Sequence, residues 1–99
     1  MLKTCFAHGT SFKLEDLGSK GKLRILETIY QHGPINISAV GRRCGMNYSS
    51  VDNHVKGLVE IGLIEERTYG NMGIRMLRPG YEQVNIQLKR GMKVKIESR

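Results

Sequence analysis

The fold is decided by residues 35–75, which read INISAVGRRCGMNYSSVDNHVKGLVEIGLIEERTYGNMGIR. The stretch opens with two short segments whose apolar residues share a helical face: Ile37, Val40 and Cys44 in the first, and Val51, Val55, Leu58 and Val59 in the second. Between them, Gly45 can adopt a positive φ and Asn47 can cap the next helix. Two short helices joined by such a turn form a helix-turn-helix, whose second helix can lie in a DNA major groove.

Two strand-like runs follow, Leu63–Tyr69 and Ile74–Arg78, on either side of the Gly70-Asn71-Met72-Gly73 tip. They predict a β-hairpin, the wing. A helix over Lys20–His32, begun at Ser19 and ended by Gly33 and Pro34, supplies a buried stripe. The stripe consists of Leu23, Leu26, Ile29 and Tyr30. The sequence therefore predicts an α+β winged helix-turn-helix, with three helices over 20–32, 37–44 and 48–61 and a wing.

The predicted domain covers residues 19–79, between an N-terminal extension (1–18) and a basic C-terminal extension (80–99). Gly9, Thr10 and Ser11 suggest a break, after which Phe12, Leu14 and Leu17 form a short strand or a helical turn. In the C-terminal extension, apolar and polar residues alternate on both sides of Lys89-Arg90-Gly91, but Val84, Leu88 and Met92 also have helical spacing. Because Gly91 disfavours a helix and β-branched residues dominate, we favour a second hairpin. This extension is a candidate for dimerisation or for contact with the DNA backbone.

The formal net charge is +7, which favours a polyanionic partner. Residues 67–99 contain eight basic and two acidic residues, whereas residues 25–66 contain three basic and five acidic ones. The charge is therefore concentrated in the wing and the tail. The sequence has no apolar run of roughly 20 residues and no signal-peptide region, so a cytoplasmic protein without membrane contact is expected.

Three segments carry a family resemblance. They are LGSKGKLRIL at 17–26, Asn36-Ile37-Ser38, and RRCGMNYSSV at 42–51, and the pattern continues through His54-Val55, 62–66 and the wing. The chain resembles an archaeal winged-helix transcriptional regulator, similar to the ArsR and MarR superfamilies, over about residues 17–78. The resemblance implies a DNA-binding protein, usually a homodimer. Two residues depart from the pattern: Gly41 replaces the usual Ala, and Asp52 places an acid in the reading helix, where it would repel phosphate unless it accepts from a cytosine amino group.

Candidate DNA contacts lie on the face of the 48–61 helix opposite its apolar stripe. Asn53 can pair with adenine and Ser50 with either base type, while Tyr48, Ser49 and Lys56 suit phosphates. The alternative is a solvated helix face with capping residues. In the segment before, Arg42 and Arg43 either hold the backbone or complement the helix dipole.

The wing contributes further candidates for the backbone or the minor groove, namely Arg67, Asn71 and Arg75. Lysines of the tail either extend this footprint or solvate an edge strand.

Cysteine and histidine give weaker signals. Cys5 and His8 have a metal-like spacing, but two cysteines outside a paired motif predict no metal site and no cofactor. Cys44 fits a small buried residue, and His54 fits packing. Cys5 is a candidate for a redox role, such as an interchain disulfide.

No catalytic constellation is recognisable, so an enzyme is not expected. The prediction is a transcriptional regulator that binds double-stranded DNA as a homodimer, with helix 48–61 in the major groove and wing 67–75 on the backbone or in the minor groove. The alternatives are a non-specific architectural DNA-binding protein and a protein-docking module of the transcription machinery.

Overall fold

The computed structural model describes residues 7–13, 20–88 and 91–98. Three helices and six strands follow one another along the described chain. In order they are β1 (Ala7–Lys13), α1 (Lys20–His32), β2 (Ile35–Asn36), α2 (Ile37–Cys44), α3 (Tyr48–Glu60), β3 (Ile64–Tyr69), β4 (Ile74–Pro79), β5 (Tyr81–Gln87) and β6 (Lys93–Glu97). The predicted α+β winged helix-turn-helix, with its three helices, its wing (β3 and β4) and its C-terminal hairpin (β5 and β6), is confirmed.

Side-chain caps and one left-handed glycine define the helix-turn-helix. The Asn36 side chain accepts a hydrogen bond from Ala39 N at 2.7 Å, and that of Asn47 accepts from Ser50 N at 2.9 Å. Gly45 ends α2 with φ of 68°. A residue with a Cβ would be strained there, so the predicted cap and turn positions are confirmed.

The turn brings α2 and α3 close together at Gly41. The Gly41 carbonyl accepts a hydrogen bond from Met46 N at 3.0 Å, and a Cβ on Gly41 would lie 3.0 Å from Met46 O. The glycine that departs from the family pattern therefore has a packing reason. Without its side chain, the turn can fold back onto the last part of α2.

One apolar cluster holds the helices and both hairpins together. From α1 it takes Ile25, Leu26, Ile29 and Tyr30, and from α3 it takes Val51, Val55 and Leu58. The expectation that Val59 is buried is wrong, since 37% of this residue is exposed. At about 100° per residue, Val59 lies roughly 80° away from Val51 around α3, at the edge of the buried stripe.

The strands form two three-stranded sheets. The wing sheet has the order β2-β4-β3, and the second sheet has the order β1-β5-β6 with β1 parallel to β5. The expected break at Gly9, Thr10 and Ser11 is wrong, because these residues continue β1 into Phe12. Pairing with a strand about 75 residues away along the chain, as in Thr10 with Val84, overrides their local preference for a turn.

The tail is a hairpin, as favoured, and not a helix. Val84 and Ile86 of β5 and Ile96 of β6 are buried in the common core. Leu88 N donates to Met92 O at 2.7 Å, and Gly91 has φ of 76°. The alternating pattern therefore outweighs the four-residue spacing. Leu14, Leu17 and Ser19, for which we made predictions, lie outside the described residues.

Tyr30 connects α1 to the junction of the two sheets. Its buried hydroxyl donates to Leu63 O at 2.6 Å and accepts from Tyr81 N at 3.2 Å. Gly80 N also donates to Leu63 O, and a Cβ on Gly80 would clash with Gly62 O. Burial is the main cause that raises the pKa of Tyr30 to about 12. The turn from β4 to β5 thus needs both this hydroxyl and this glycine.

We predict that Tyr30→Phe lowers the free energy of unfolding by about 1–2 kcal/mol, because Tyr81 N loses a buried partner. Since folding raises the pKa from 10.0 to about 12, the contribution of the hydroxyl is complete below pH 10 and is lost as the pH rises toward 12. Urea unfolding at pH 7 and at pH 9–12 checks both points. A variant as stable as wild type, with the same alkaline profile, would contradict this role.

Candidate nucleic-acid interface

The solvent face of α3 presents the polar residues expected there. Tyr48, Ser49, Asn53 and Lys56 are exposed and Ser50 is half-buried. The buried stripe of Val51, Val55 and Leu58 fixes the opposite face in the core. Because the Asn47 cap fixes the start of the helix, this row of hydroxyl, amide and ammonium groups occupies its first three turns. The first turns are the part of a recognition helix that reaches base edges.

Two arginines lie at the end of α2, next to the turn. Arg42 and Arg43 are exposed in the last turn of this helix. Cations at that position complement the partial negative charge of the helix end, and they can also bind phosphate. The structure is compatible with both interpretations.

The tip of the wing has no charged residue and consists of uncharged polar and apolar residues. Asn71 is exposed in the turn, as is Arg67 on β3. Around them, Tyr69, Met72 and Ile74 are large exposed apolar residues, and Met72 is 88% exposed. The residues from Tyr69 to Ile74 carry no charge, so the wing tip can supply van der Waals and amide contacts, and Arg67 supplies its cationic charge.

Arg75 is bound within the protein, where it ties the wing to α3. Its Nε donates to Glu66 Oε2 at 2.7 Å, and its Nη2 donates to Glu66 Oε1 at 2.9 Å. On the other side, Nη1 donates to the Tyr48 hydroxyl at 2.8 Å and lies 2.8 Å from Asp52 Oδ1. Each guanidinium nitrogen therefore has a partner, two of these partners on α3 and one on β3. We call this group of four residues the Arg75 clasp.

The clasp neutralises the acid that departs from the family pattern. The contact of Asp52 Oδ1 with Arg75 is a short ion pair rather than an aligned hydrogen bond, and Lys56 Nζ lies 3.4 Å from Oδ2. Arg75 above all, and then Lys56, hold the pKa of Asp52 below its ordinary value of 3.8 against partial desolvation. Glu66 is the main cause that raises the pKa of Arg75. Both groups therefore remain charged at neutral pH.

A second ion pair removes more of the positive charge expected in the wing. Arg78 Nε lies 2.7 Å from Glu65 Oε1, and these two residues are directly opposite on β4 and β3. Of the three arginines in the wing strands, Arg67 alone has no carboxylate partner among the described residues. The wing is thus less electropositive than its sequence indicates.

A cleft separates the start of α2 from the wing. Its volume is about 240 Å³, and its lining comprises Asn36, Ile37, Ser38, Tyr48, Gly73, Ile74 and Arg75. Pockets for small-molecule ligands usually have about 300–1,000 Å³. Its size therefore gives no reason to assign an effector site here.

His54 and Cys44 have packing roles in the helical part of the domain. His54 is half-buried against α1, where a Cβ on Gly21 would lie 3.0 Å from its Nε2. Cys44 is a buried free thiol, 3.4 Å from Thr28 Oγ1. In the described part of the chain, no three potential metal ligands come together. Cys5, with its proposed redox role, lies outside the described residues.

Sequence reasoning missed Asp52 and Glu66 as partners of Arg75. The available signal was the acid itself, since a nearby cation stabilises an ionised carboxylate. No local spacing identifies that cation, because Arg75 comes from a strand 23 positions later. The sequence placed Arg75 among the DNA contacts, whereas its hydrogen bonds lie inside the protein.

Comparison with known proteins identifies one matching family and several similar solved structures. The model of the family HVO_A0114 matches residues 19–86. No curated protein matches significantly. Among solved structures, a possible transcriptional regulatory protein from Mycobacterium bovis (fragment 1–100) is 25% identical with a TM-score of 0.59, over 66% of this chain and 67% of that one.

Two further structures share the fold. One is the solution structure of the homodimeric winged helix-turn-helix DNA-binding domain of Mb0332 from M. bovis, a possible ArsR-family regulator. It has 24% identity and a TM-score of 0.58, over 67% of this chain and 58% of that one. The other is a MarR-family regulator from Silicibacter pomeroyi with 19% identity and a TM-score of 0.59, over 67% of this chain and 45% of that one. The resemblance to these superfamilies is confirmed at the level of fold, and these neighbours are regulators rather than enzymes. An archaeal origin stays a prediction.

We predict that Arg75→Met lowers the melting temperature by about 4–8 °C, because Asp52 and Glu66 lose their shared cation. Adding Asp52→Asn and Glu66→Gln restores part of the loss, since the unpaired charges are then removed. The matched control is Arg67→Met, which removes an exposed arginine of the same wing and leaves the melting temperature unchanged. Calorimetry or circular dichroism measures all three variants.

The same variant has a pH signature. The pKa of Asp52 is lowered in the folded state, so the clasp stabilises the protein above pH 3.8 and this contribution is lost as the pH falls through the lower folded-state pKa. The difference in stability between wild type and Arg75→Met therefore persists from pH 7 to about pH 4 and narrows below it. A difference that vanished between pH 7 and pH 5 would contradict the clasp.

Proposed function

This chain belongs to the HVO_A0114 family and has a winged helix-turn-helix fold, and from these two facts we propose that it is a sequence-specific transcriptional regulator that binds double-stranded DNA as a homodimer. The observation that carries the proposal is the polar solvent face of α3, beside a wing that is tied to the same helix. Regulators with this fold, including a DNA-binding domain from M. bovis, are among the similar structures.

In this proposal α3 enters the major groove and reads bases with two side chains. Asn53 is exposed one turn beyond the capped start of the helix, and its amide can accept from and donate to adenine. Ser50, half-buried next to it, serves either base type. Both lie in the first half of α3, which is the part that approaches base edges in helix-turn-helix proteins.

Phosphate contacts come from the margins of the same face. Ser49 and Lys56 carry a hydroxyl and an ammonium group in exposed positions. The Tyr48 hydroxyl accepts from Arg75 and keeps its own proton to donate to a phosphate oxygen. These contacts set the position of the protein on the duplex without specifying sequence.

Arg42, Arg43, Arg67 and Asn71 extend the footprint in the proposal. Arg42 and Arg43 at the end of α2 hold backbone, and Arg67 and Asn71 bring the wing to the backbone or the minor groove. Arg75 has the different role of a positioning residue: it fixes the wing relative to α3. A wing held in advance loses less conformational freedom on binding than a mobile one.

The dimer follows from the way such domains read DNA. The similar domain from M. bovis is homodimeric. Two copies related by a two-fold axis would read half-sites about one helical turn apart, so a near-palindromic operator is expected.

We predict that Asn53→Ala weakens binding to the operator by about 10-fold to 100-fold and leaves binding to unrelated duplexes nearly unchanged, because an adenine contact is lost. Fluorescence anisotropy on labelled duplexes, including DNA upstream of the gene for this chain, measures both affinities. The matched control is Asn85→Ala, the same substitution on β5, away from the proposed DNA-binding face. It should change neither affinity. Lys56→Ala should weaken all duplexes alike and reduce the salt slope by about 1.

Three outcomes decide between functions. A preferred duplex whose preference depends on Asn53 supports the regulator. Equal and steeply salt-dependent binding to every duplex would replace it with the architectural protein. No binding at low salt would replace it with the protein-docking module.

A further inference from the structure

The edge strand β6 has a row of backbone groups directed away from the protein. It lies at one end of the β1-β5-β6 sheet. Leu88 N donates to Met92 O and Ser98 N to Glu82 O, so the even-numbered residues of this segment face β5. In an antiparallel pair the intervening residues point the other way. The N–H and C=O groups of Lys93, Lys95 and Glu97 therefore face outward.

We propose that β6 pairs with β6 of a second copy of this chain, antiparallel, about a two-fold axis at Lys95. The β1-β5-β6 sheets of the two copies then join into one sheet of six strands. This inference rests on the proposed function for its dimeric state, and it adds the surface that makes the dimer. The partner is identical, so the same strand must be complementary to itself.

The charges of β6 make it self-complementary in this register. With the axis at Lys95, Lys93 lies opposite Glu97 of the second copy, and this pair occurs twice. Three pairs of residues then form backbone hydrogen bonds across the interface: Lys93 with Glu97, Lys95 with Lys95, and Glu97 with Lys93. Each pair exchanges two hydrogen bonds. On the outer face, opposite charges directly across the strands stabilise the pairing.

The apolar residues of β6 follow the same symmetry. Val94 lies opposite Ile96 of the second copy, again twice. Ile96 is buried in the core, and Val94 is half-buried at its margin. Pairing continues the apolar face of the sheet across the two-fold axis and covers the exposed part of Val94.

Neighbouring registers fit less well. An axis at Val94 would place Lys93 opposite Lys95 of the second copy, twice, with like charges in contact. An axis at Ile96 would place Lys95 opposite Glu97 of the second copy, twice, but within Lys93–Glu97 it would leave the outward backbone groups of Lys93 unpaired. The Lys95 register has one like pair, Lys95 with its own copy, and in each chain Glu97 lies 3.5 Å from Lys95 and offsets that charge.

Edge strands that avoid pairing are very short or contain a proline, a bulge, an inward-pointing charge or lysines along the edge. The described strand Lys93–Glu97 has continuous pairing with β5 and no proline. Its charged residues are exposed on the outer face, while Val94 and Ile96 lie toward the core. Its lysines would disfavour an unmatched strand, but in a second copy Glu97 lies opposite Lys93, so the edge suits its own copy.

The test is a charge exchange measured by sedimentation equilibrium. Lys93→Glu puts a carboxylate opposite Glu97 of the second copy, and Glu97→Lys puts an ammonium group opposite Lys93. We expect each single variant to weaken the dimer by about tenfold, and the double variant to return to within about threefold of wild type. Lys20→Glu, which makes the same charge change at the start of α1, is the control and leaves the dimer unchanged.

A backbone test complements the charge test. Lys95→Pro removes an outward N–H and spares the bonds to β5, so the variant should fold and be monomeric. Lys95→Ala keeps the N–H and should remain dimeric. Circular dichroism confirms the fold of each variant.

A monomeric wild type at 100-fold the concentration used for DNA binding, or a dimer insensitive to both Lys93→Glu and Lys95→Pro, would overturn the β6 interface. Because these measurements use protein without DNA, that result would leave DNA recognition by α3 to be judged by the anisotropy experiment alone.

Discussion

One guanidinium group, that of Arg75, joins the wing to α3. Arg75 donates two hydrogen bonds to Glu66 in the wing and one to Tyr48 in α3, and it forms a short ion pair with Asp52 of the same helix. Without it, Asp52 would keep only Lys56 as a cationic partner, and the wing would lose these side-chain contacts with α3. These contacts hold α3 and the wing together.

The arrangement of charge follows from that constraint. The chain has a formal net charge of +7, but Glu65, Glu66 and Asp52 neutralise Arg75 and Arg78 near the wing. On the proposed DNA-binding face, exposed positive charge lies at the end of α2, at Lys56 and at Arg67. The lysines of β6 have a separate role in our account, in assembly. Net charge thus indicates the class of partner, and the local ion pairs decide which surface meets it.

The parts of the fold that sequence predicted are those set by local rules. Asn36, Gly45 and Asn47 fix the helix-turn-helix through caps and a left-handed turn, and the alternation around Gly91 gives the tail hairpin. Two features escaped because they depend on distant partners. Strand β1 exists through its pairing with β5, and Arg75 is held by residues 9 and 23 positions away. The spacing of residues along the chain does not predict such long-range contacts.

The most direct test is the Nε–H signal of Arg75 in ¹H–¹⁵N NMR spectra, followed during titration with a DNA duplex from upstream of the gene. Our account predicts a signal visible at neutral pH because Glu66 protects this proton from exchange with water. It also predicts that the signal keeps its position while the backbone amides of Ser49, Asn53 and Asn71 shift. An Arg75 signal that moves with DNA as much as those amides do would contradict the account and indicate that Arg75 contacts the duplex. A signal lost to solvent exchange in the free protein would contradict the hydrogen bond to Glu66 that fixes the wing in advance.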